Sequence, residues 1–168
     1  MKKLLVSTAV ALSAFGVTAA PALAQDAPPA RQFSAATGER VAAAQEQMKA
    51  GQYGAAISSL QGALNSGEQL VPYERSIIHQ MLGQSYYEQN NNSQAISNFE
   101  SAISAGGLLP NESESLRVNI AQLLIGDGQY ARGAQMLEDY LARGGQRKPQ
   151  YDEYIMQAWV QRDRKSVV

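Results

Sequence analysis

The sequence predicts an all-α protein made of stacked antiparallel helix pairs, and three recurring features support this. A small residue recurs at intervals of 39 and 38 residues, and a large apolar residue follows it four positions later each time. A proline recurs at intervals of 38 and 39 residues. The three sets are Ala56, Ala95 and Gly133; Leu60, Phe99 and Leu137; Pro72, Pro110 and Pro149. Three features that keep one period indicate a repeat architecture.

Glycine and proline positions predict seven helices between these features. Glycines lie past the expected helix ends, and each proline lies just before the next helix start, which is the usual asymmetry. The sequence has no sustained alternation of β-branched or aromatic residues, which would indicate strands. The expected helices span residues 37–50, 54–66, 73–89, 93–105, 112–126, 130–143 and 150–162. Asn111 is the expected N-cap of the fifth helix, with Glu114 as its capping-box partner.

The pattern resembles the tetratricopeptide repeat, a helix pair with a Leu-Gly, Tyr, small residue, aromatic residue and Pro signature. The middle repeat matches best, through Leu82, Gly83, Tyr86, Ala95, Phe99 and Ala102. The units are about four or five residues longer than the family's repeat of about 34 residues. The resemblance covers roughly residues 37–161. It implies a right-handed α-solenoid of three repeats plus a lone C-terminal helix.

The N-terminus has the composition of a bacterial secretory signal peptide. Two lysines precede an uncharged run of small and apolar residues over 4–20, and the Ala-Leu-Ala sequence at 22–24 fits a cleavage site. A retained membrane anchor is the alternative, but the apolar run is short for one. The chain has no cysteine, which a lipoprotein would need at its cleavage point. We therefore expect residues 1–24 to be removed, leaving Gln25 first in a soluble periplasmic protein.

The remaining chain divides into three parts by composition. Residues 25–33 contain two prolines and no periodic apolar pattern, which predicts a flexible linker. A helical repeat domain is expected over 34–162, and a charged tail without helical periodicity over 163–168. Signal peptide, linker and glutamine-rich repeats together resemble periplasmic tetratricopeptide repeat proteins of α-proteobacteria, some of them associated with TonB-type systems. That resemblance implies a role in the cell envelope, with outer-membrane transport as one candidate.

The seventh expected helix has no partner helix after it in the sequence. It is either a terminal cap or the first helix of a shortened repeat array. A cap normally turns a polar face outward. Tyr151, Ile155 and Trp159 give this helix apolar residues suited to further packing, which favours the shortened array.

Composition argues against catalysis and against nucleic acid as a partner. The net charge is −1, and removal of residues 1–24 leaves 12 basic and 15 acidic side chains, which is a poor balance for binding phosphates. His79 is the single histidine, so the usual zinc ligand sets cannot form, and a packed helix residue explains it better than a general base. Phosphate-loop, nucleophile-elbow and dinucleotide motifs are absent from the sequence. We expect no enzyme activity, no cofactor and no metal.

The resemblance also supplies candidate binding residues. In the family, the first helices of successive repeats line a concave face that binds protein or peptide segments. The matching positions here are Gln45, Gln84 and Gln122, followed three residues later by Met48, Tyr87 and Ile125. Such rows could bond an extended backbone and seat its side chains, although a solvated stripe explains the glutamines equally well. Val41 and Gln45 replace the lysine and asparagine that clamp C-terminal carboxylates in some relatives, so tail binding is not expected.

The resemblance thus implies a scaffold for protein–protein interactions. The alternative is a structural component of an envelope complex that self-associates through its C-terminal helix.

Overall fold

The computed structural model describes residues 31–67 and 69–166, without the side chains of 162 and 164–166. These residues form seven α-helices and no strand, which confirms the all-α prediction. The helices are α1 (Ala35–Lys49), α2 (Tyr53–Leu64), α3 (Pro72–Glu88), α4 (Asn92–Ser104), α5 (Pro110–Gly126), α6 (Tyr130–Ala142) and α7 (Pro149–Ser166). Thirteen of the fourteen helix ends lie within two residues of the predicted positions.

The exception is the end of α7, which extends to Ser166 instead of ending at 162. The predicted tail of 163–168 is therefore helical as far as Ser166. The arginine and lysine residues in this part of the sequence have high helix propensity, which agrees with the longer helix. The predicted signal peptide, 1–24, and residues 25–30 of the predicted linker lie outside the described residues. None of the helices in the described ranges has the length and apolarity that a membrane span requires.

The same tight turn joins the two helices of each pair. A residue with positive φ ends the first helix: Gly51 at 72°, Asn90 at 60° and Gly128 at 80°. Glycine and asparagine are the residues that enter this left-handed region most readily. The next backbone N–H donates to the carbonyl five residues earlier. These bonds run from Gln52 to Gln47 (2.8 Å), Asn91 to Tyr86 (2.9 Å) and Gln129 to Leu124 (2.8 Å). The period in the sequence thus recurs in the backbone geometry.

Small residues allow the two helices of a pair to approach closely. Ala56 and Ala95 are fully buried, and Gly133 is buried as well. A methyl group added to Gly133 would lie 2.6 Å from Cγ1 of Ile125 and 2.8 Å from the carbonyl oxygen of Ala121. The bulky residues one turn further on, Leu60, Phe99 and Leu137, are 0%, 6% and 0% exposed. The small and large residues singled out in the sequence therefore form the contacts within each pair.

The core consists of three apolar clusters that follow the chain. The first lies among α1, α2 and α3, the second between α4 and α5, and the third among α5, α6 and α7. Each helix contacts its neighbours in sequence. In addition, α1 contacts α3 and α5 contacts α7, whereas no Cα atom of α3 lies within 8 Å of one in α5.

The start of α5 differs from the prediction. Pro110 begins the helix, and Glu112 accepts a hydrogen bond from the Leu109 backbone N–H at 2.8 Å. The predicted N-cap at Asn111, with Glu114 as its partner, is therefore wrong. Proline fits the first helical position because its missing N–H is one that the helix leaves unbonded there. The helix accordingly begins before Asn111, and Glu112 instead of Glu114 caps it.

Three apolar residues of α7 pack inward, contrary to the expectation that they face further packing partners. Tyr151 is 4% exposed within the third cluster, and Ile155 and Trp159 pack against that cluster. The indole N–H of Trp159 donates to the carboxylate of Glu138 on α6 at 2.8 Å. The spacing of four residues places the three side chains on one helix face, and this face is the one turned to α6.

Candidate functional site

The three candidate glutamines occupy equivalent places on α1, α3 and α5. Each directly follows a buried small residue on its helix, and each keeps part of its own side chain accessible. The buried residues are Ala44, Gly83 and Ala121, and the glutamines are Gln45, Gln84 and Gln122. Every glutamine therefore lies at the edge of the core, next to a residue that is buried on its first helix.

The side chain of Gln84 forms a hydrogen bond within its own helix. Its side-chain amide nitrogen donates to the carboxylate of Glu88 at 2.9 Å, and the pair is exposed. The amide oxygen of Gln84 takes no part in that bond. A bound backbone N–H could therefore donate to this oxygen without displacing Glu88.

The three candidate apolar residues belong to three different core clusters. Met48 and Tyr87 are partly buried against the first and second clusters. Ile125 is 8% exposed and lies inside the third cluster, where Gly133 brings α6 against it. Ile125 is thus a core residue in this structure, and Met48 and Tyr87 are the members of the predicted row that keep accessible surface.

The helices that carry the predicted rows do not approach one another equally closely. Because α1 and α3 are in contact, Gln45 and Gln84 lie on adjoining helices. No Cα atom of α3, which carries Gln84, lies within 8 Å of one in α5, which carries Gln122. This difference could not be predicted from the sequence, since the spacing of the repeats is nearly the same on both sides of α3.

His79 connects the two helices of the middle pair. Its Nδ1 lies 3.1 Å from the side-chain oxygen of Asn98 on α4, and the imidazole is half-buried. A similar polar bond connects α1 and α2, where the Ser59 hydroxyl donates to the side-chain oxygen of Gln47 at 2.9 Å. The position of His79 agrees with a packing role.

Sequence reasoning missed a buried carboxylate at the start of α3. Glu74 is 2% exposed and accepts the backbone N–H groups of Ser34 at 2.7 Å and Val71 at 2.9 Å. Burial raises the pKa of Glu74, but hydrogen bonds from Ser34, Val71 and Thr37 outweigh it, so the pKa lies below its ordinary value. The repeated Pro-x-Glu sequence, at 72–74 and 110–112, was the available signal.

An open cleft of about 500 Å³ lies between the start of α5 and the end of α6. Its lining includes the polar side chains of Asn111, Glu114 and Arg143, and Nη2 of Arg143 lies 3.2 Å from the carboxylate of Glu114. None of the six candidate residues lines this cleft. Within the described ranges, no three His, Asp or Glu side chains come together as a metal site. The expectation that the chain takes no metal stays a prediction.

Comparison with models of protein families, with curated proteins and with solved structures found no match to this chain. The resemblance to tetratricopeptide repeats therefore remains an interpretation of the sequence pattern.

Proposed function

We propose that this chain is a periplasmic scaffold for protein–protein interactions, built as a right-handed solenoid of tetratricopeptide-like helix pairs. The observation that carries the proposal is the common position of Gln45, Gln84 and Gln122. Each glutamine follows a buried small residue on a first helix and remains partly accessible. A repeated accessible amide on successive first helices is suited to an extended polypeptide, whose backbone offers donors and acceptors at regular intervals.

Met48 and Tyr87 supply apolar contact beside the glutamines. Both side chains are half-buried, so part of each packs against the core and part stays accessible to solvent. Methionine adapts to irregular surfaces, and tyrosine is enriched among the residues that dominate binding energies. Ile125 contributes to the core below this surface and is not part of the proposed contact.

The proposed location rests on the predicted signal peptide. N-terminal sequencing of the protein from a periplasmic extract should give Gln25 as the first residue. Membrane-bound protein that begins at Met1 would contradict the proposed location.

Photo-crosslinking in cells tests the binding surface directly. A photoreactive residue is placed in turn at Gln45, Gln84 and Gln122, and adducts are identified by mass spectrometry. Matched controls lie on the second helices at the same repeat spacing and are exposed: Ser58, Ser97 and Gln135. We expect one discrete protein adduct from the first-helix positions and none from the controls. Equal labelling from both sets would refute the proposed surface.

Substitution then separates binding from folding. We expect Gln84→Ala and Tyr87→Ala to keep the helical circular dichroism signal and to weaken capture of the crosslinked partner. Tyr87 also packs on the second cluster, so its variant should lose some stability as well. Gln84→Ala carries no such ambiguity, because Gln84 bonds only along its own helix in the described contacts. Unchanged capture by both variants would place the partner on another surface.

A second candidate function is a structural, self-associating envelope component. One observation favours it: Met156 and Val160 are 64% and 47% exposed, and their spacing of four places them on one face of α7. Sedimentation of the purified mature chain should then show concentration-dependent association that Met156→Lys abolishes and Gln157→Lys, at an exposed neighbour, does not. A monomer at all concentrations excludes this candidate and leaves the scaffold.

A further inference from the structure

A short non-helical segment, residues 31–34, contacts both α3 and α5. The Cα atoms of these two helices do not come within 8 Å of each other, whereas those of α1 and α3 and those of α5 and α7 do. Residues 31–33 belong to the predicted flexible linker, yet they make defined contacts with both helices. These contacts involve the two glutamates that cap α3 and α5.

The first contact is with the capping glutamate of α3. One carboxylate oxygen of Glu74 accepts the N–H of Val71, which completes the start of the helix. The other oxygen accepts the N–H of Ser34 at 2.7 Å. Ser34 is also the N-cap of α1, where its hydroxyl accepts the N–H of Thr37 at 3.3 Å. One buried carboxylate therefore joins the starts of α1 and α3.

The second contact is with the capping glutamate of α5. Nη2 of Arg31 lies 2.8 Å from both carboxylate oxygens of Glu112, one of which also accepts the Leu109 N–H. The Arg31 guanidinium lies 5.0 Å from the centroid of the Tyr73 ring on α3. An arginine at this distance from an aromatic ring is attracted by its π face. Arg31 thus contacts α3 and α5 with one side chain.

Phe33 secures the segment between these two contacts. Its ring centroid lies 5.4 Å from that of Tyr73, and its side chain packs against the first apolar cluster. Tyr73 therefore interacts with Arg31 and with Phe33. Gln32, between them in sequence, is exposed.

We propose that residues 31–34 form a clasp that fixes the spacing between the starts of α3 and α5, with Glu74 and Glu112 as its docking points. The clasp links the start of α3 to the start of α5, two helices whose Cα atoms do not come within 8 Å of each other. It thereby sets the distance between the helices that carry Gln84 and Gln122. The inference concerns the geometry of the chain and does not depend on the proposed function.

Distance measurement between spin labels tests the clasp. The chain has no cysteine, so two introduced cysteines can be labelled selectively. Labels at Arg75→Cys and Ser115→Cys, both exposed, report the distance between α3 and α5. We expect the double variant Arg31→Ala with Phe33→Ala to broaden this distance distribution and lengthen its mean. Gln32→Ala, the matched control, should leave the distribution unchanged.

A second pair of labels distinguishes a clasp from a general stabilising contact. Labels at Ser115→Cys and Gln135→Cys span α5 and α6 within the third helix pair. Under the proposal, this distance stays unchanged in the Arg31→Ala, Phe33→Ala variant while the distance between α3 and α5 broadens. Arg31→Lys keeps the charge and should give an intermediate width. Two outcomes overturn the proposal: an unchanged distance between α3 and α5, or equal broadening of both label pairs.

Discussion

Gly83 faces the ring of Phe99 so closely that a methyl group at position 83 would lie 2.5 Å from ring atoms Cδ1 and Cε1. Gly83 lies on α3 and Phe99 on α4, and both are buried. The absence of a side chain at one position therefore makes room for the aromatic ring at the other. This contact fixes how closely the two helices of the middle pair can approach.

Gly83→Ala should destabilise the protein even though alanine is the better helix former. The added methyl group has to displace the Phe99 ring, and such overpacking costs about 1 to 3 kcal/mol. Gly126 supplies the matched control, because it is helical and exposed and a Cβ there would meet nothing within 4 Å. Gly126→Ala should stabilise by up to about 1 kcal/mol. Urea unfolding of both variants measures the difference, and equal changes in midpoint would contradict the Gly83–Phe99 contact.

Ala95→Leu should overpack the same helix pair from the other helix. Ala95 is fully buried, whereas Ser97, two residues further along α4, is exposed. We expect the Ala95 variant to lose roughly 1 to 3 kcal/mol of unfolding free energy. Ser97→Leu should change it by less than about 0.5 kcal/mol. Thermal unfolding compares the two, and equal melting temperatures would mean that the repeat positions were assigned incorrectly.

Alanine substitution at two buried serines of α3 should change the stability of the protein in opposite directions. Ser85 is fully buried, and its hydroxyl has no hydrogen-bond partner among the described residues. Ser76 is equally buried, but its hydroxyl accepts the N–H of Gly107 at 3.0 Å. Ser85→Ala should stabilise by about 1 kcal/mol because it removes an unpaired polar group. Ser76→Ala leaves the Gly107 N–H unpaired and should cost about 1 to 3 kcal/mol.

Chemical denaturation measures the change in unfolding free energy for each of the two serine variants. A destabilised Ser85→Ala variant would show that its hydroxyl does have a partner in solution, such as an ordered water.

Glu74 should make the protein sensitive to acid. Its pKa is lowered in the folded state, so its contribution to stability is fully present above the unfolded-state pKa of about 4.3. The contribution is lost as the pH falls through the folded-state pKa, where protonation weakens acceptance of the Ser34 and Val71 N–H groups. Glu74→Gln should cost about 1 to 3 kcal/mol at neutral pH, and the difference from the parent protein should shrink below about pH 4.

Urea titrations at several pH values measure this dependence. Glu39→Gln removes one carboxylate from an exposed position of α1 and controls for the change in net charge. A constant difference between Glu74→Gln and the parent protein at all pH values would rule out a linked proton at Glu74.

Most of the helical architecture could be read from the sequence because its signals are local. The left-handed residues at Gly51, Asn90 and Gly128 end three helices through bonds that reach back only five residues. The small residues Ala56 and Ala95 are buried as their spacing predicts. The predicted start of α5 lies two residues too late. Because Pro110 takes the first helical position, Glu112 and not Glu114 is the residue that caps the helix.

The candidate surface was predicted less completely, because exposure depends on what packs above a residue. The sequence placed Ile125 in one row with Met48 and Tyr87, but the approach of α6 at Gly133 buries Ile125. The direction of the Tyr151 face of α7 likewise depends on how α7 lies against α6.

The sequence by itself thus determined the period, the helices and the small and large residues at the contacts within each pair. The helices and their contact residues depend on backbone propensities and on spacings of a few residues, and the period is visible because the same local pattern recurs along the chain. Only the tertiary structure decided how closely α3 and α5 approach each other and that Arg31 reaches Glu112, a residue 81 positions away in the sequence. Contacts over such separations follow from the angles at which successive helices pack, and these angles are set by all the contacting side chains together.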